Sequence, residues 1–121
     1  MRQVIYPLGL LLVGLLTTSC ATTQSRYVML GQTYLTRAED CPIEVFRTGD
    51  PGKEFTKISR LDVHLEKTHF IQSGFEEALP ALKKQACLSG ADAIIDVQER
   101  SSSHIETKIY HVTATGVKYK Q

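Results

Sequence analysis

The stretch from Leu79 to Gln98, Leu-Pro-Ala-Leu-Lys-Lys-Gln-Ala-Cys-Leu-Ser-Gly-Ala-Asp-Ala-Ile-Ile-Asp-Val-Gln, changes its hydrophobic period halfway along. Phe75, Leu79, Leu82 and Ala86 recur at helical spacing and make one apolar face. Ala93, Ile95 and Val97 then alternate with Asp92, Asp96 and Gln98, which is strand spacing. Gly90 lies between the two patterns and can take the left-handed conformation that closes a helix without a Cβ clash. A helix that stops at a glycine and turns at once into a strand commits the chain to a helix laid on a sheet.

The other elements are placed around this corner. Pro42 opens a strand in which Ile43, Val45 and Arg47 alternate with Glu44 and Phe46. Gly49-Asp50-Pro51-Gly52 is a dense turn signal, so this strand and the next are expected to form a hairpin. Phe55 to Glu66 is the next strand, with Leu61, Val63 and Leu65 facing one way and Asp62, His64 and Glu66 the other. The Ile58 to Leu61 spacing breaks that alternation and predicts a bulge near Ser59. Ser73-Gly74-Phe75-Glu76 matches a capping box. Pro80 either kinks the helix that follows or starts a shorter one. After Asp92 to Glu99, the serine-rich Arg100 to His104 reads as a flexible turn, and Thr107 to Lys120 as a long closing strand. Gly116 inside that strand signals a bulge or close packing against the helix. Tyr27 to Leu30 could form a further short strand. The expected fold is α+β, a two-layer β-β-α-β-β sandwich with one helix on a mixed four-stranded sheet. The strands flanking the helix should run parallel through a right-handed crossover.

The amino terminus reads as an export signal. Arg2 gives a positive start, and Val4 to Leu16 is an apolar run too short to span a bilayer as a helix. Leu16-Thr17-Thr18-Ser19-Cys20 follows and is similar to a bacterial lipobox, with Leu one place further from the cysteine than the usual pattern. The expected organisation is a lipoprotein signal peptide over 1–19, a lipidated tether and linker over 20–40, and a periplasmic domain over 41–121. Acylation at Cys20 would anchor the chain stably, because two or more acyl chains hold a protein on a membrane. The other reading of this end is plain signal cleavage near Ala21 and a soluble periplasmic protein. By resemblance to enterobacterial sorting, Ala21 after the cysteine implies the outer membrane. Lys and Arg number 14 against 13 Asp and Glu, and loss of Arg2 with the signal leaves a balanced chain. That excludes the basic footprint of a nucleic-acid binder and electrostatic binding to anionic lipid.

With Cys20 assigned to lipid, Cys41 and Cys87 remain, an even pair in an oxidising compartment. A hairpin turning at 48–54 sets Cys41 level with Leu61. A helix from Gly74 to Ser89 runs about 24 Å at 1.5 Å per residue, and brings Cys87 down to that level. The expectation is a Cys41–Cys87 disulfide. Two buried free thiols, or a thiol that pairs with another protein, are the alternatives.

Lys84-Gln85-Ala86-Cys87-Leu88-Ser89-Gly90-Ala91-Asp92-Ala93-Ile94-Ile95 and Ala114-Thr115-Gly116-Val117-Lys118-Tyr119 resemble the small bacterial envelope domains related to the Rcs stress-sensing lipoprotein and to YbjQ-like proteins. Those share a helix ending in a Gly-Ala-Asp-Ala corner and a closing strand with a small-Gly-hydrophobic pattern. The resemblance covers residues 41–120. It implies the helix-on-sheet fold and an envelope role, and for YbjQ-like members it also suggests metal binding and ring assembly.

The polar side chains form no recognisable catalytic set. Asp62, His64 and Glu66 project from one strand face, with His69 and His111 candidates to lie nearby, and the plain reading is a solvated strand face. No CxxC, HxH or HExxH occurs. Ser101-Ser102-Ser103-His104 is not preceded by a glycine elbow. The expectation is therefore a non-enzymatic outer-membrane lipoprotein, without cofactor or small-molecule substrate. It would have a structural or stress-sensing role exerted through envelope proteins. A small metal-binding periplasmic domain is the alternative.

Overall fold

A computed structural model describes residues 22–68 and 73–121. The stretch expected to be a signal peptide, Cys20 and His69 lie outside the described residues. The elements are β1 (Thr22–Met29), β2 (Glu44–Val45), β3 (Phe55–Thr68), α1 (Phe75–Ser89), β4 (Ala93–His104) and β5 (Thr107–Tyr119). They form one five-stranded sheet in the order β1-β3-β5-β4-β2, with α1 on one face. β5 pairs antiparallel with β3 and with β4, β1 pairs antiparallel with β3, and β2 pairs parallel with β4. The α+β class expected from the sequence holds; the strand count and order do not.

The helix forms where its apolar period demands. Phe75, Ala78, Leu82 and Ala86 are buried, and they pack on Leu61, Val63 and Leu65 of β3 and Tyr110, Val112 and Ala114 of β5. The N-cap is Gly74, with no side-chain cap, so the expected capping box does not form. Glu76 and Glu77 in the first turn oppose the positive end of the helix dipole instead. Pro80 lies inside one continuous helix rather than at its start. It is exposed, so the carbonyl it leaves unbonded can face water. Gly90 closes the helix at φ +88°, and Ala91 N–H donates to Ala86 O at 3.0 Å.

Several connections differ from expectation for one reason: β1 and β2 occupy opposite edges of the sheet. β2 does not form a hairpin with β3 but pairs with β4 at the far edge. The stretch 20–40, expected to be a tether and linker, supplies β1, and Thr22 through Met29 pair with Glu66 through Ser59. A polar segment can do this because an edge strand needs backbone pairing and only partial burial. β3 and β4, joined through the helix, do run in the same direction, but β5 lies between them. The serine run belongs to β4, and the turn shrinks to Ile105 and Glu106.

Two local expectations hold. The β3 register shifts between Lys57 and Ser59, and Gly116 sits opposite Ser59. A Cβ on Gly116 would overlap the Ser59 hydroxyl and come within 3.1 Å of the Ala91 Cβ, so the glycine lets β5 pass directly beneath the helix end. Ser59 and Ser89 share a buried hydrogen bond of 2.8 Å there, and Ser89 donates to Ala86 O.

Beyond this point β5 and β4 also bury side chains on the other face. Ala93, Ile95 and Val117 form a second small core with Phe46, Phe55 and Tyr119. The connection from β2 to β3 supplies Phe46, Phe55 opens β3, and Pro51 within the connection is buried. The rest of that face is open.

Candidate functional site

The open face gathers the polar side chains that alternate with the core. On β3, Asp62 and His64 point away from the helix because Leu61, Val63 and Leu65 point toward it. His111 stands opposite His64 on β5, between the buried Tyr110 and Val112. Arg26 and Gln24 of β1 stand opposite Asp62 and His64. Arg100 of β4 stands opposite His111. Residues from four strands thus meet on one surface. A shallow depression of about 270 Å³ is lined by Gln24, Ser25, Arg26, Asp62, His64 and His111.

Within it, His111 Nε2 lies 2.6 Å from Asp62 Oδ1, and His64 Nε2 lies 2.9 Å from Glu66 Oε1. A carboxylate only accepts, so both rings donate from Nε2 and leave Nδ1 as the free lone pair of the neutral form. The two imidazoles meet edge to face with centroids 5.6 Å apart. Arg26 reaches Asp62 at 3.7 Å, but its side chain is 75% exposed against 18% for Asp62, so this ion pair contributes little. Among the described residues, no three His, Cys, Asp or Glu side chains are grouped to hold a metal ion.

A second polar cluster occupies the helix side of the sheet. Glu99 accepts from the Tyr110 hydroxyl at 2.5 Å and from Arg47 Nη2 at 2.7 Å. The Arg47 guanidinium lies 4.2 Å from the centre of the Phe75 ring. The cluster ties the segment after β2 to β4, β5 and the start of the helix. The Tyr110 hydrogen bond, helped by Arg47 and opposed by desolvation, holds Glu99 below the ordinary carboxylate range. Burial first, and Glu99 second, push Tyr110 well above its usual 10.0.

A raised folded-state value stabilises fully below the unfolded value and is lost at higher pH. The Tyr110 contribution is therefore complete at neutral pH and declines above pH 10 by about 1.4 kcal/mol per unit. Glu99 has the opposite sense: its contribution is present above its ordinary value and is lost as pH falls. Tyr110→Phe is expected to cost about 1–2 kcal/mol at pH 7, because Glu99 keeps Arg47 and some solvent. Urea midpoints of the variant and the parent at pH 7 and pH 11 should differ less at the higher pH. An undiminished difference at pH 11 would count against the hydrogen bond as the cause.

Cys41 and Cys87 form a disulfide with Cα atoms 5.8 Å apart. The geometry that brings them together is not the expected hairpin. The chain from Leu30 to Ile43 crosses from the β1 edge to the β2 edge past the C-terminal end of α1. On the way Arg37 N–H donates to Cys87 O at 2.9 Å, and Arg37 Nη1 bonds Ala91 O and Asp92 Oδ1 at 2.8 and 3.2 Å. Cys20 lies outside the described residues, and no described helix is long and apolar enough to cross a membrane.

The structure gathers Asp62, His64, Glu66 and His111 as the strand pattern suggested, and leaves Ser101, Ser102, Ser103 and His104 on an exposed hairpin arm. Gln24 and Arg26 lie in the stretch expected to be a tether and Arg100 in the one expected to be a turn, so no local pattern marks their faces, which only the pairing partners reveal.

No family model and no curated protein matches the chain. Among solved structures it is similar to a Francisella virulence factor, FvfA, in its orthorhombic crystal form. The match has 12% sequence identity and a TM-score of 0.55, and covers 78% of this chain and 97% of that one. At that identity the likeness is one of fold.

Proposed function

We propose that this chain is a bacterial envelope lipoprotein, anchored in the outer membrane through Cys20. Its domain would act in the periplasm by binding other envelope proteins rather than by catalysis. The observation that carries the reading is the Cys41–Cys87 disulfide, since disulfides of this kind persist in oxidising compartments, which the export signal expected over residues 1–19 would let the chain reach. The lipobox-like Leu16 to Cys20 and the resemblance of the Gly90 to Ala93 corner to stress-sensing envelope lipoproteins support the same reading. The open face around Asp62, His64 and His111 is the surface offered to a partner.

Cys20→Ser is expected to move the protein from the membrane fraction to the soluble periplasmic fraction, with loss of more than nine-tenths of the membrane-bound amount. Mass spectrometry of the parent should find the acyl chains on Cys20. A parent protein that is already soluble, or an unacylated terminus, would refute the anchor.

One observation favours a second reading, a weak metal-binding domain. Both imidazoles on the open face already donate to carboxylates, the arrangement that orients histidine ligands in metal sites. Titration calorimetry with zinc, copper and nickel should then show binding that His64→Ala and His111→Ala each abolish. No heat at about 100 μM metal ends this reading.

A further inference from the structure

The proposed anchor and the strand it leads into leave little slack. Cys20 stands two residues before Thr22, the first residue of β1. At about 3.6 Å per residue when fully extended, its Cα lies within about 7 Å of that of Thr22. Among the described residues the sheet therefore begins two residues after the proposed anchor, where the sequence predicts a tether.

The ladder shows what else stands at that end. Thr22 is level with Glu66, Ile109 and Ser102 across the sheet. The sheet continues past this row through Lys67, Lys108 and Ser103 and then Thr68, Thr107 and His104. It ends at the turn of Ile105 and Glu106. From Ser102 to Ile105 is about 10 Å at 3.3 Å per residue. An upright sheet whose anchor lies at most about 7 Å beyond Thr22 therefore carries its hairpin tip to the depth of the anchor or past it.

The residue at that tip is unusual for a turn. Ile105 is 84% exposed, and its φ is +53°. Gly, Asn and Asp suit a hairpin turn with positive φ, whereas a β-branched residue there is strained. Neither turn geometry nor solubility favours an exposed isoleucine at this position, but contact with an apolar medium does. The charges around it nearly balance, with Lys67 and Lys108 against Glu66 and Glu106, so the contact would not depend on anionic lipid.

We infer that the β4–β5 hairpin tip is a second membrane contact. Ile105 enters the headgroup layer of the phospholipid bilayer that holds the Cys20 acyl chains, at the opposite side of the sheet end from the anchor. The inference rests on the proposed acylation of Cys20. It sets the domain upright, so that the open face with Asp62, His64 and His111 looks along the membrane surface toward laterally placed partners.

The test uses the full acylated protein carrying Ile105→Cys. The native cysteines are committed to the proposed lipid and to the disulfide, so the new thiol alone takes an environment-sensitive fluorophore. Asp50→Cys, in the connection at the opposite end of the sheet, is the control. In phosphatidylethanolamine–phosphatidylglycerol vesicles containing a nitroxide lipid, the label at 105 should be quenched at least twofold more than the label at 50, with a blue-shifted emission. Equal quenching in protein that floats with the vesicles overturns the membrane seat and leaves the anchor standing. Shielding of the 105 label in whole envelopes but not in vesicles assigns the tip to a protein partner and also overturns it. Protein that does not float overturns the anchor, and this inference with it.

Discussion

Replacing Cys41 and Cys87 together by alanine should lower the unfolding free energy by about 3–4 kcal/mol. The two cysteines are 46 residues apart in sequence, and closing a loop of that length removes about 4 kcal/mol of chain entropy from the unfolded state. The native state adds to this. Leu30 to Ile43 must cross from one edge of the sheet to the other, and it carries no secondary structure that would hold it in place. It is held by the Arg37 hydrogen bonds and the disulfide at the end of the helix, together with Tyr34 and Ile43 packed against the core and an exposed Glu39–Lys84 pair. For a domain of this size each kcal/mol shifts the melting temperature by about 4–8 °C, so a drop of about 15–25 °C is expected. Dithiothreitol should lower the parent to the level of the double variant and leave the variant unchanged. A double variant within about 1 kcal/mol of the parent would show that the crossing holds itself.

Gly90→Ala should cost about 2–4 kcal/mol, more than an alanine normally costs at a surface turn. Two effects add. The backbone at φ +88° is left-handed, where a Cβ costs about 1–2 kcal/mol. The new methyl would also stand 2.8 Å from Leu35 O and 3.0 Å from the Tyr34 Cβ, both in the crossing segment. Those are backbone and near-backbone atoms that cannot swing aside, so overpacking adds about 1–3 kcal/mol. The clash falls on the segment that the disulfide pins, so the two substitutions should not be additive. In the Cys41→Ala/Cys87→Ala background the crossing can retreat, and Gly90→Ala should then cost only the backbone part. Denaturant midpoints of the four proteins give the coupling, and full additivity would place the strain in the helix corner alone.

The sequence determined the elements whose pattern is local. The 3.6-residue period from Phe75 to Ala86, the glycine stop at Gly90, and the two-residue alternation of Leu61, Val63 and Leu65 each follow from the chain's own geometry. The bulge at Ser59 and the close approach at Gly116 were legible for the same reason. Half of the candidate site was legible too, because Asp62, His64 and Glu66 had to oppose a buried face.

Tertiary structure decided which strands are neighbours. Whether β2 turns back on β3 or crosses to β4 depends on which pairing buries Phe46, Pro51 and Phe55, and no local pattern records that. Thr22 to Met29 contains little to bury, so its place as an edge strand comes from the unpaired backbone of β3. That pairing brings Arg26 to Asp62 and starts the fold two residues after Cys20. Hydrophobic periodicity fixes which way a side chain faces, whereas the surface buried between distant segments fixes what it faces.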